Sequence, residues 1–112
     1  MEIACLRSVI LDKALLECAY IWQSDLTFSS LQGAILTQAN LFGTNLMESN
    51  LKGATLSEAK FTNANLMSAN LELCTAQGTD FYGAKYNKDT LFPRDIKPKD
   101  MGMELHFGFP GK

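Results

Sequence analysis

The sequence predicts an all-β fold wound as a solenoid, and three observations predict it. A large apolar residue recurs at every fifth position, a small residue stands two places ahead of it, and turn-forming residues fill the intervals. A fixed short period of this kind marks a chain that stacks identical units. The period fits neither the 3.6 of a helix nor the 2 of a strand, so each repeat must contain a turn.

The large positions begin at Leu6, Leu11, Leu16 and Ile21 and run on to Phe81, Tyr86 and Leu91, with only Ala76 failing to be large and apolar. The small positions run from Ala4, Val9, Ala14 and Ala19 to Thr79 and Ala84. Asn or Asp often precedes the large residue, at Asp25, Asn40, Asn45, Asn50, Asn65, Asn70 and Asp80. Such residues bond to nearby backbone and favour tight turns. Glycine recurs two places after the large residue, at Gly33, Gly43, Gly53, Gly78 and Gly83, where a corner needs backbone freedom. Each repeat therefore reads as side chain in, corner, side chain in.

The stretches Ala39-Asn40-Leu41, Ala64-Asn65-Leu66 and Ala69-Asn70-Leu71 resemble the A(D/N)LXX signature of pentapeptide-repeat proteins. The resemblance covers residues 4 to 88 and weakens before residue 24, where Ile10, Leu15 and Tyr20 replace Asn or Asp. It implies a right-handed quadrilateral β-solenoid in which four repeats make one 20-residue coil. About four coils follow, a rod on the order of 20 Å long at a strand spacing of about 4.8 Å. The implied domains are a solenoid over 1–88 and a C-terminal capping tail over 89–112.

The 20-residue step then sorts the core into columns: Leu6-Leu26-Leu46-Leu66-Tyr86, Leu11-Leu31-Leu51-Leu71-Leu91, Leu16-Leu36-Leu56-Ala76 and Ile21-Leu41-Phe61-Phe81. Phe61 should stack on Phe81. Beyond Tyr86 the repeat dissolves, and Pro93 and Pro98 disfavour further ladder pairing. Phe92, Ile96, Met101, Met103, Leu105, Phe107 and Phe109 are expected to fold back over that end, and the tail resembles those of cyanobacterial and plastid members of the family.

At the other end no such segment precedes Leu6, so a candidate dimer end is formed by Leu6, Ile10, Leu11, Leu15 and Leu16. Two arrangements would cover it: head-to-head pairing of two copies, or closure by Met1, Ile3 and side chains of the first coil. The outer faces supply a second candidate surface. Tyr20, Trp22, Phe42 and Tyr82 make a broken aromatic stripe interrupted by Lys60 and Thr62, and Phe28, Met47 and Met67 extend it around one edge. Exposed aromatic patches mark interaction sites more often than scattered apolar residues do. A neighbouring face aligns Asp12, Gln32, Lys52 and Glu72, with Lys52 and Glu72 placed to pair across coils, an ordinary solvated surface.

Composition bounds the function. Ten bases against twelve acids, dispersed along the chain, provide no electropositive field for nucleic acid. No run of about 18 apolar residues suggests a membrane span, and a cytoplasmic protein is expected. Cys5, Cys18 and Cys74 lack CxxC spacing and have only His106 to join them, so neither a metal site nor a cofactor is expected. No nucleophile or phosphate-loop motif occurs, and Glu48 and Glu58, ten residues apart, fall on opposite faces of the coil. The expected function is a non-catalytic protein-interaction or scaffold module with an unassigned protein partner. A gyrase- or topoisomerase-binding DNA mimic is the alternative, but residues 6 to 88 carry seven acids against six bases, far from two rows of phosphates. A small accessory repeat protein with no separable activity is the third reading.

Overall fold

A tight turn begins at the large position of each repeat from Leu6 to Phe81. The N–H three residues on donates back to its carbonyl, as in Val9 to Leu6 at 3.2 Å and Ala54 to Leu51 at 3.0 Å. The third residue of each turn sits in the left-handed region, at glycine in Gly33, Gly43, Gly53, Gly78 and Gly83. Eleven further corners hold side-chain-bearing residues there, among them Phe28 and Leu73, with φ between 53° and 62°. Each such residue forgoes its preferred backbone well at a cost of roughly 1–2 kcal/mol. The corners persist because pairing between coils over-determines them.

That pairing is read directly from the structure, a computed structural model that describes residues 5–107. The residue preceding each large position bridges in parallel to the residue twenty further on: Cys5 to Asp25, Asp25 to Asn45, Asn45 to Asn65 and Asn65 to Lys85 form one column. Within it the Leu26 N–H donates to the Asn45 carbonyl at 2.8 Å, and the Asn45 N–H donates to the Ser24 carbonyl at 3.0 Å. The Asn and Asp side chains reinforce the turns. Oδ1 of Asn40, Asn45, Asn50, Asn65 and Asp80 each accepts the backbone N–H two residues on at 3.0 Å. Asp25 does likewise with the Thr27 N–H at 3.0 Å, and the Thr27 hydroxyl also donates to it. That hydroxyl bond, with help from the Thr27 N–H and Arg7, holds the Asp25 carboxyl below its ordinary pKa against a smaller opposing effect of burial.

The core lies inside the coils. Leu26, Leu46 and Leu66, Leu31, Leu51 and Leu71, Leu36 and Leu56, and Ile21 and Leu41 are sealed from solvent, with Ala34, Ala39, Ala59, Ala64 and Ala69 filling the narrow positions between them. Phe61 stacks on Phe81 with ring centroids 5.5 Å apart, as the 20-residue step predicts. Thr44 and Thr79 take small positions and satisfy their buried hydroxyls by donating to the carbonyls of Ile21 and Leu56.

Leu91 departs from expectation. It is 44% exposed instead of lying in the core column below Leu71. Between Tyr86 and Leu91 the chain has one residue more than the repeat, so Asn70 bridges to Leu91 at a step of 21. Thr90 thereby takes the inward small position and donates to the Leu66 carbonyl at 2.9 Å. Leu91 turns outward, and Phe92 packs against the core with its ring edge-on to Tyr86 at 5.7 Å. Asn87 pins the extra residue, its Oδ1 accepting the N–H groups of Ser68 at 2.9 Å and Asp89 at 3.1 Å.

The tail then returns to the stack. Ile96 and Met103 join the buried cluster and Met101 packs against it. A 3-10 helix, Pro98–Met101, ends at Gly102 with φ 76°, and a strand at Glu104–Leu105 pairs in parallel with Lys85–Tyr86. Ladder pairing therefore resumes beyond Pro93 and Pro98, because both prolines precede the segment that donates. Leu105 and Phe107 are exposed, and Phe109 lies outside the described residues. Lys52 and Glu72 do not form an ion pair; they line a surface hollow with Leu73, Phe92, Pro93 and Arg94.

The three cysteines differ sharply in environment. Cys5 and Cys18 are exposed and Cys74 is buried, with burial and the nearby Asp95 pushing its thiol up to about 12. At pH 8 such a thiol holds about a thousandfold less thiolate than an ordinary one of pKa about 8.5. Brief alkylation of the folded protein at pH 8 is expected to label Cys5 and Cys18 and spare Cys74, which reacts only on denaturation; peptide mass mapping reads the result.

Candidate functional site

Every coil contributes one residue to each outward column, so side chains twenty apart in sequence become neighbours on a flat face. On one face the column after the large residue reads Trp22, Phe42, Thr62, Tyr82, and the column before it reads Tyr20, Asn40, Lys60, Asp80. Trp22, Asn40, Phe42, Lys60, Thr62 and Asp80 line an open groove running across four coils. Tyr20 stacks on Trp22 at 5.9 Å with the rings 7° from parallel, which fixes the orientation of the indole.

The tyrosines beside the groove are more exposed than the rings that line it. Tyr20 is 47% exposed and Tyr82 is 69% exposed, whereas Trp22 and Phe42 are half-buried, presenting one flank of the ring. Asn40 and Asp80 are engaged by the Phe42 and Tyr82 backbone N–H groups, so their side chains are held in place instead of sweeping the groove. Lys60 brings the groove's single positive charge and Asp80 its single negative one. The surface is an aromatic strip edged by one charge of each sign.

The extension around the edge holds only in part. Phe28 is 48% exposed at its corner and Met47 is half-buried, but Met67 is buried and does not belong to the surface. The loop responsible is the one carrying the extra residue: Asn87 stands one coil beyond Met67, itself buried, and grips the Ser68 N–H. At the candidate dimer end Ile10 is 74% and Leu15 77% exposed, and Leu6, Leu11 and Leu16 are only partly covered. One candidate surface is a side of the solenoid and the other its first coil, and the two adjoin at Tyr20 and Trp22. Sequence reasoning missed the hollow formed by Lys88, Leu105, His106 and Phe107, because it depends on where the returning strand lands. Among the described residues no three of His, Cys, Asp and Glu converge as a metal site, and no helix is long and apolar enough to cross a membrane.

The Pentapeptide repeats family matches residues 23–57 and 49–85, in eight copies. The chain belongs to the pentapeptide-repeat family. Its fold is accordingly the right-handed quadrilateral β-solenoid. Among solved structures, a pentapeptide-repeat protein of Nostoc PCC 7120 (alr5209) shares 30% identity at a TM-score of 0.71, over 91% of this chain and 84% of that one. Rfr23 of the cyanobacterium Cyanothece 51142 shares 32% identity at a TM-score of 0.68, over 81% of this chain and 60% of that one. A pentapeptide-repeat protein of the Arabidopsis thaliana thylakoid lumen shares 25% identity at a TM-score of 0.56, over 76% of this chain and 66% of that one. A search of curated protein sequences finds no significant match.

Proposed function

We propose that this pentapeptide-repeat protein is a non-catalytic binding module whose protein partner docks on the Trp22/Phe42 face. The observation that supports the reading is the groove itself, where Trp22 and Phe42 present ring surface between Tyr20 and Tyr82 on a rigid, flat scaffold. Aromatic side chains held in place lose little conformational freedom on binding and bury much area, which is why they dominate interface energetics. The near-balance of charge favours a protein partner over a polyanion or an anionic bilayer.

The test compares immobilised wild type with a Trp22→Ala/Phe42→Ala variant for proteins retained from an extract, with circular dichroism confirming that both are folded. Both side chains project outward, so the variant should keep the fold and lose at least tenfold of a specifically retained partner. Equal retention by the two would exclude this face as the docking site.

A further inference from the structure

The two ends of the solenoid are finished differently. Ile96, Met101 and Met103 cover the far end, whereas the first coil leaves its core residues in view. Leu6, Leu11 and Leu16 are partly exposed, while their counterparts one coil on, Leu26, Leu31 and Leu36, are fully buried. Beside them Ile10 and Leu15 are about three-quarters exposed, at 74% and 77%, in columns that continue outward as Ser30 and Asn50 or as Ile35 and Thr55.

The backbone at this end is also unfinished. In every inner coil the residue before the large position donates to the previous coil, as Ser30 does to the Val9 carbonyl and Ile35 to the Ala14 carbonyl. The carbonyls before and after the large position accept from the previous coil, as Ser30 does from Leu11 and Gln32 from Lys13. In the first coil the corresponding groups are the N–H and C=O of Ile10 and Leu15 and the C=O of Asp12 and Glu17, none of which has a hydrogen-bond partner in the described protein. An edge that presents alternating donors and acceptors is a template for another strand.

We propose that this end is a dimer interface, occupied by the first coil of a second copy of the chain. The edge is self-complementary: turning a second copy head-to-head runs its strands antiparallel to the first, so the N–H groups of each copy oppose carbonyls of the other. Charge agrees, because the rim from residue 6 to 21 carries Arg7 and Lys13 against Asp12 and Glu17, a net of zero, and two copies meet without net repulsion. The far end is covered by the tail, so the contact closes at two copies and does not propagate into a filament. The interface adjoins the aromatic face at Tyr20 and Trp22 but is built on Ile10 and Leu15, on other sides of the first coil, so the lysine variants test it separately from that proposal.

Light scattering is expected to give twice the chain mass of 12.4 kDa for the wild type, and the monomer mass for Leu15→Lys and for Ile10→Lys, both folded by circular dichroism because these side chains are already exposed. Leu105→Lys, at the opposite end, should remain dimeric. A bismaleimide linker gives a second readout, since the exposed Cys5 and Cys18 both lie in the first coil: it should join two wild-type copies and fail with Cys5→Ser/Cys18→Ser. A monomeric wild type, a dimer that survives both lysine variants, or a dimer broken by Leu105→Lys would each overturn the proposal.

Discussion

Phe61→Ala is expected to destabilise the protein by about 3–5 kcal/mol, the usual loss for emptying a buried aromatic position. Phe61 is sealed from solvent and stacked on Phe81, so truncation removes both its own burial and one face of the neighbouring ring. The site is poorly able to collapse. Its walls are rungs held at fixed spacing by hydrogen bonds, with Phe61 N–H bonded to the Asp80 carbonyl at 2.7 Å and Ala64 N–H to the Phe61 carbonyl at 3.0 Å. A loss of this size is a large part of the stability of an ordinary domain. Urea unfolding followed by circular dichroism measures it, and a loss below about 1 kcal/mol would mean that the two rings do not share a packed core.

Gly83→Ala is expected to cost about 2–3 kcal/mol, clearly more than Gly53→Ala at about 1 kcal/mol. Both glycines have φ of 72°, so both substitutions incur the left-handed penalty of about 1 kcal/mol. A methyl group at Gly53 meets open space, whereas one at Gly83 falls 2.2 Å from Asn63 Oδ1. The difference between the two variants therefore isolates the steric contact from the backbone conformation. Equal losses in urea unfolding would show that Asn63 swings aside freely and that conformation alone sets the requirement for glycine.

The core was legible because the spacing from Leu6 to Tyr86 never slips, and a side chain's place in the coil follows from its position modulo twenty. The role of Asn40, Asn45 and Asn65 was legible for a similar reason, since a short amide ahead of a turn has one nearby N–H to accept. Leu91 was misplaced because a single added residue leaves no compositional mark; Asn87-Lys88-Asp89-Thr90 reads as ordinary loop. The 20-residue step likewise places Met67 on the surface, because its burial depends on that loop. The left-handed corners at Phe28, Leu73 and Glu48 were hidden because these residue types carry no signal for positive φ, and only the stacked neighbours hold them there. The aromatic face could be assembled from the 20-residue step alone, but the half-burial of Trp22 and Phe42 reflects neighbouring side chains that no periodicity describes.

Because each rung pairs only with the coil before and the coil after it, the molecule has no keystone. Heat or force applied at residue 5 must peel the chain away one side of the square at a time, and the coils behind keep their hydrogen bonds and their leucines until the opening reaches them. The returning strand at Glu104–Leu105 fastens the other end to Lys85–Tyr86, which gives unravelling a direction. The molecule is a zipper with one stop already sewn in at Glu104–Leu105, and opening that starts at the first coil runs toward that stop.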